Sequence, residues 1–278
     1  MPSSLLSYET LVHAVAGATG SVVGMAAFYP LDTLRSRLQV SDSNKLKGSP
    51  WELLMKLANE EGIESLYCGL APVLQSLSVS NFVYFYSFHA LRNYASKDNS
   101  ALKDLMFGIV AGSINVLLTS PLWVVNTRMK LDKNCYNSLF EGLYSIARKE
   151  GAAGLWSGTV PSLLLVTNPA IQFMIYETLK RHLIARNSFG TYGAFLTGAI
   201  AKAIATTVTY PLQLIQSRLR AGTSLKPLIK DIKSKPQIMF RGLETRLWQT
   251  IMTASLMFFI YEKLVKLVLT IMRARLSK

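Results

Sequence analysis

The sequence predicts an all-α membrane protein: six transmembrane helices in three pseudo-threefold repeats, each with a short surface helix. Three observations carry this prediction. Half of the 278 residues are hydrophobic and only 17% are charged, below the roughly 25% charge of a soluble domain. Six stretches are long and apolar enough to approach the ~20 residues that a bilayer core requires. One phrase recurs along the chain, as YPLDTLRSRLQ from Tyr29, SPLWVVNTRMK from Ser120 and YPLQLIQSRLR from Tyr210.

In chain order, the expected spans lie near Leu11 to Leu31, Pro72 to Ala90, Leu105 to Val125, Pro161 to Tyr176, Gly193 to Leu212 and Leu247 to Val268. Aligning the chain on Pro30, Pro121 and Pro211 places a glycine thirteen residues before each proline, at Gly17, Gly108 and Gly198. Small residues at helical spacing let helix backbones approach closely in lipid. Downstream, EGIESLYCG, EGAAGLWSG and a degraded SKPQIMFRG end at Gly69, Gly158 and Gly242. The stretches WELLMKLANEEG and SLFEGLYSIARKEG repeat apolar residues every three or four positions, as helices lying on a membrane surface do. A second span follows each glycine and ends in FHALR, YETLK or YEKLV. The unit is span, surface helix, span, and the units divide at 1–97, 98–187 and 188–278.

The net charge of +14 is spread over connecting segments and helix ends. This argues against nucleic acid and for membrane lipid with a small anionic solute. Cys68 and Cys135 have no paired spacing, so neither a disulfide framework nor a zinc site is expected. The first residues read as neither a secretory signal nor a transit peptide. An enzyme is disfavoured: there is no Gly-rich phosphate loop, no metal-ligand cluster, and none of the three histidines stands beside a nucleophile pattern. No catalytic residue, metal or prosthetic group is therefore expected.

The triplicated pattern of Pro-x-acid-x-x-base-x-base, followed by Glu-Gly, an aromatic and Gly, resembles the mitochondrial carrier family over essentially the whole chain. Segments such as SNFVYFYSF, PSLLLVTNPAIQFMIYE and GAIAKAIATTVTYPLQ are similar to its peroxisomal branch. The resemblance implies a monomeric, multi-pass antiporter of the peroxisomal membrane, inserted with peroxisomal membrane-protein import factors. It would exchange coenzyme A, FAD, NAD or adenine nucleotides such as AMP and ATP, as transported substrates, by alternating access at a central site. A mitochondrial inner-membrane carrier of another anionic solute is the alternative, and a non-transporting membrane adaptor is a further rival.

The resemblance also implies two gates. On the proline side, mid-span prolines kink helices and the charges after them form an ion-pair ring. Repeat one supplies Pro30, Asp32, Arg35 and Arg37; repeat two supplies Pro121, Trp123, Asn126 and Arg128; repeat three supplies Pro211, Gln213, Gln216 and Arg218. At the ring positions the only acid and base are then Asp32 and Arg35, on one helix. Gln213, Gln216 and Asn126 are expected to bond to them instead. Trp123 is open between a plug and a packing residue at a helix or lipid interface. At the opposite gate, Arg92 with Glu177 and Lys180 with Glu262 can pair between helices, so that gate is expected to hold more firmly. A local pair between Glu177 and Lys180 is the plainer alternative.

For the cargo, the family's contact positions, about seven residues after the glycine opening each even span, fall on Ser76, on Leu165 with Val166, and on Gln249. The aliphatic pair would pack against an adenine ring. From the residues themselves, Lys202 is a cation inside an apolar helix, where charge costs about 2.5–3.5 kcal/mol. Phosphate binding and a structural contact both remain open for it. Arg246 is a second cation candidate, and Asn168 a hydrogen-bonding one.

Overall fold

The computed structural model describes residues 22–40, 48–94, 101–131, 136, 138–184, 191–256, 260 and 263. Every regular element among them is helical. Repeat one begins with a helical stretch at 22–27 that breaks at Phe28 and continues as α1 (Tyr29–Val40). The break is the consequence of Pro30, which has no N–H to donate into the preceding turn; Leu31 N–H bonds to the Phe28 carbonyl at 3.2 Å instead. α2 (Pro50–Glu61), α3 (Ile63–Leu66) and α4 (Leu70–Tyr94) complete the unit. Repeat two contains α5 (Ala101–Leu131), α6 (Leu139–Glu150), α7 (Ala152–Leu155), α8 (Thr159–Leu165) and α9 (Asn168–Ile184). Repeat three contains α10 (Thr191–Arg220), α11 (Leu225–Ser234), a 3-10 turn at Pro236–Phe240 and α12 (243–256).

Among the described residues, three helical runs are long and apolar enough to cross a bilayer, Ile63–Asn93, Lys103–Leu131 and Ala152–Ile184. α10 is 30 residues long, about 45 Å at 1.5 Å per residue, but it carries Lys202 and several threonines. The expected first and last spans run into residues outside the described set. The outward surface is apolar, as lipid requires: on α10, Leu196, Ile200, Ile204 and Val208 recur every four residues and are all exposed.

The surface helices start where the sequence places caps. Ser49 and Glu52 make a reciprocal capping box at α2, and the Ser138 side chain accepts from Glu141 N–H at α6. Their apolar faces cover the proline-bearing helices. Leu53, Leu57 and Leu66 pack on Leu34 and Leu38 of α1, while Leu139 and Ile146 pack on Val124, Val125 and Met129 of α5. α11 fills the corresponding place in repeat three and buries Leu228.

The glycine that opens each even span has φ of +80° at Gly69, +80° at Gly158 and +81° at Gly242, a region costly for side chains. At two of these glycines a Cβ would also crowd its neighbours, standing 3.0 Å from the Gln216 carbonyl oxygen at Gly158 and 2.9 Å from the Tyr210 hydroxyl at Gly242. The turn therefore lets each unit fold back onto a proline-bearing helix.

Pro121 removes the donor for the Leu117 carbonyl, and the Trp156 indole N–H bonds to that carbonyl at 2.9 Å. The helix runs through Pro121 without a break, as α10 does through Pro211. The second span of repeat two is instead divided between α8 and α9, just before Pro169. Its spacing from Gly158 to Tyr176 is eighteen residues, against nineteen for the corresponding interval from Gly242 to Tyr261. The break sits where that register difference is absorbed.

Candidate functional site: a closed ring and two adjoining cavities

α1, α5 and α10 pack against one another pairwise at their C-terminal ends. There, the arginine seven residues after each proline reaches across to the next repeat. Arg37 Nε donates to the Lys130 carbonyl at 3.3 Å, Arg128 Nε to the Arg220 carbonyl at 3.1 Å, and Arg218 Nε to the Gln39 carbonyl at 2.8 Å. Each acceptor lies nine residues after its proline. The result is a cyclic set of three bonds that closes the proline side.

Two of these arginines are anchored to the ends of surface helices. Arg37 Nη1 binds both Glu61 carboxylate oxygens, at 2.8 and 2.7 Å, and Arg128 Nη2 binds Glu150 at 2.8 Å. The Glu150 carboxyl, outside the membrane-spanning runs, is held below the usual carboxylate range by its hydrogen bonds from Arg128. In repeat three Ser234 occupies the position of these glutamates, counted back from Gly242.

The expectation that Asp32 has no base on a neighbouring helix is overturned. Lys130 of α5 donates to Asp32, and both side chains are buried, at 8% exposure each. Arg35 lies 3.4 Å from the same carboxylate, and Gln249 Nε2 donates to it at 3.2 Å. The amides expected to serve Asp32 and Arg35 bond elsewhere. Gln213 donates to Thr209 at 3.2 Å, Gln216 donates to Ser162 at 2.7 Å, and Asn126 has no side-chain partner among the described residues. Lys130 stands four residues after Asn126, hence one turn further on the same face. That spacing was the available signal, and reading only the fixed ring positions passed over it.

Among the described residues, the expected Arg92–Glu177 pair of the opposite gate is not formed. Arg92 lies 3.7 Å from Asp104 of α5 instead of meeting Glu177. Lys180 makes the local contact with Glu177 on its own helix, at 3.5 Å. Glu262 lies outside the described residues. Among the described gate residues, the interhelical contacts between repeats at the expected ring lie on the proline side.

Two adjoining cavities are lined by the described residues. The first, about 420 Å³, is walled by α4, α5, α8, the start of α9 and the end of α10, including Leu165, Val166, Tyr84 and Asn115. The second, about 250 Å³, lies closer to the ring and is lined by Asp32, Arg35, Lys130, Arg220, Arg246 and Gln249 among others. Trp123, Gln216 and Arg220 line both, so Trp123 stands at the junction. Arg246 Nη1 donates to Gln249 Oε1 at 3.0 Å, linking that arginine through Gln249 to Asp32.

Lys202 is two residues from Ile200 and from Ile204, about half a turn around the helix from the exposed apolar stripe. Its side chain is exposed, lines neither cavity and lies within electrostatic range of Arg246. Asn168 donates to Thr209 at 3.2 Å and ties α9 to α10. Ser76 is fully buried, donates to the Pro72 carbonyl at 2.9 Å and lines neither cavity.

Comparison with known proteins gives the arrangement a context. The model of the family described as "Mitochondrial carrier protein" matches three times, at residues 7–99, 97–187 and 187–271. The chain is 48% identical to the peroxisomal membrane protein PMP34 of Mus musculus, over 97% of each chain. It is 31% identical to the peroxisomal nicotinamide adenine dinucleotide carrier of Arabidopsis thaliana, over 93% of this chain and 96% of that one. It is 30% identical to the chloroplastic folate transporter 1 of the same plant, over 92% of this chain and 94% of that one.

Proposed function

Since the chain belongs to the mitochondrial carrier family, whose members are transporters and not enzymes, we propose that it exchanges nucleotide-like cofactors across the membrane of a peroxisome or a related organelle. In this reading all six expected spans cross the bilayer, and the three repeats rock about a central site in alternating access. Coenzyme A, FAD, NAD and adenine nucleotides are the candidate cargoes. Relatives whose names specify nicotinamide adenine dinucleotide and folate support an anionic cargo with a flat ring system.

The observation that carries the reading is the pairing of unlike cavities. One wall offers Leu165, Val166 and Trp123 to an aromatic ring, while Arg246 lines the adjoining cationic space and Lys202 lies within electrostatic range of that arginine. A nucleotide has that same division between an apolar ring and a charged tail. Gln249 enters the site through its bonds to Arg246 and Asp32, coupling cargo to gate.

The test is uptake of labelled AMP into proteoliposomes preloaded with AMP, in competition with NAD, FAD, coenzyme A and inorganic phosphate. Lys202→Ala is expected to slow uptake by about tenfold to a hundredfold, the loss of a charge-assisted contact of about 1.5–3 kcal/mol. Absence of flux for every anion would sink the transport reading. Complete competition by phosphate alone would sink the cofactor reading.

A further inference from the structure

The cavity next to the closed ring contains more positive charge than its own acid balances. Four cations line it, Arg35, Lys130, Arg220 and Arg246, against one carboxylate, Asp32, among the described residues. That carboxylate is already engaged by Lys130, Arg35 and Gln249. Arg35 lies within electrostatic range of Lys130, Arg220 and Arg246, so like charges face one another across a space shielded from bulk water.

The hydrogen-bonding inventory points the same way. Four buried side-chain N–H donors around this cavity have no acceptor among the described residues: Nε of Arg35, Arg220 and Arg246, and Nδ2 of Asn126. Asn126 is 1% exposed. Buried donors are ordinarily satisfied, and a cluster that is not calls for acceptors beyond the described residues. The Asn126 amide oxygen is also without a donor among them. A group with several acceptor oxygens and an O–H of its own fits this set, whereas a halide supplies no O–H.

From these features we infer that the space between Trp123 and the arginine ring is a phosphoryl-binding pocket, occupied when the proline side is closed. Its occupant is a phosphate group, either the tail of a cargo lying in the apolar cavity or a free phosphate ion. Only the first source rests on the transport reading above. The occupant neutralises the cavity and holds the three proline-bearing helices together through Arg35, Asn126 and Arg220, one from each repeat.

The experiment is thermal unfolding of the purified full chain, titrated with inorganic phosphate at ionic strength held constant with chloride. Phosphate is expected to raise the melting temperature saturably. Arg220→Gln, which preserves the main-chain carbonyl used by Arg128, is expected to weaken the apparent phosphate affinity by at least about tenfold. Asn126→Asp supplies a carboxylate in the anion's place. It is expected to melt higher than the parent without phosphate and to gain little when phosphate is added.

AMP then separates the two sources. Competition between AMP and phosphate for one stabilisation assigns the pocket to the cargo's phosphate, and additive stabilisation assigns it to the free ion. No saturable response to phosphate in the parent, or a response equally strong in both variants, would overturn the pocket. Neither result depends on whether AMP is transported.

Discussion

Lys130 makes a buried ion pair beside the closing ring. Its ammonium is buried against Asp32 and lies over the Tyr29 ring, 5.2 Å from the ring centre, so removing it strands a carboxylate inside the helix cluster. Lys130→Met should cost about 3 kcal/mol, the low end for breaking a buried pair, because Arg35 and Gln249 still face Asp32. Asp32→Asn combined with Lys130→Met should recover most of the loss. Melting curves of the two single variants and the double variant give the coupling directly, and strict additivity would rule out the pair. The sequence made the positions of Asp32 and Arg35 legible but not this partner. A pairing rule tied to fixed distances from proline does not represent a long lysine reaching from the next turn. The site positions Leu165 and Val166 were legible as an aliphatic pair, whereas Ser76 and Asn168 were polar residues whose hydrogen bonds are spent within the helical framework.

Helices α5 and α1 show how the same proline produces different elements. Both carry the residue at the same place in their repeat, yet the helix leading into α1 breaks at Phe28 while α5 is continuous. Trp156 supplies the missing donor in the second case. Trp156→Phe should therefore destabilise the protein by about 0.5–1.5 kcal/mol, the net worth of one hydrogen bond, since this one is exposed. Adding Pro121→Ala restores the amide and should remove that penalty. If the double variant is no more stable than Trp156→Phe alone in the same melting assay, the indole bond has no such role. Repeat periodicity and the first two surface helices were readable from the chain because they follow from local spacing. The division between α8 and α9 was visible only as a one-residue shift of register, since nothing local says where a shift is absorbed.

Across the whole molecule, the three repeats are alike in backbone and unlike in anchoring. Glu61 and Glu150 hold the ring arginines of the first two repeats, and Ser234 stands at the third position. Because the Glu150 carboxyl is depressed in the folded protein by Arg128, its contribution is complete above the ordinary carboxylate value of about 4.3. It is lost as pH falls through the lowered value. The melting-temperature gap between the parent and Glu150→Gln should thus be constant near neutrality and close on acidification. A gap that widens in acid would reverse the assignment.

The acceptors of the closing ring are main-chain carbonyls of residues 39, 130 and 220. Point substitution leaves a main-chain oxygen in place, so each of those positions can change its side chain without losing its carbonyl from the ring of three bonds. The chain has three different answers there, Gln39, Lys130 and Arg220. Mutational drift at the tightest point of the molecule is in this way decoupled from the lock itself. New side-chain chemistry can arise beside the transported solute while the mechanism that shuts behind it stays intact.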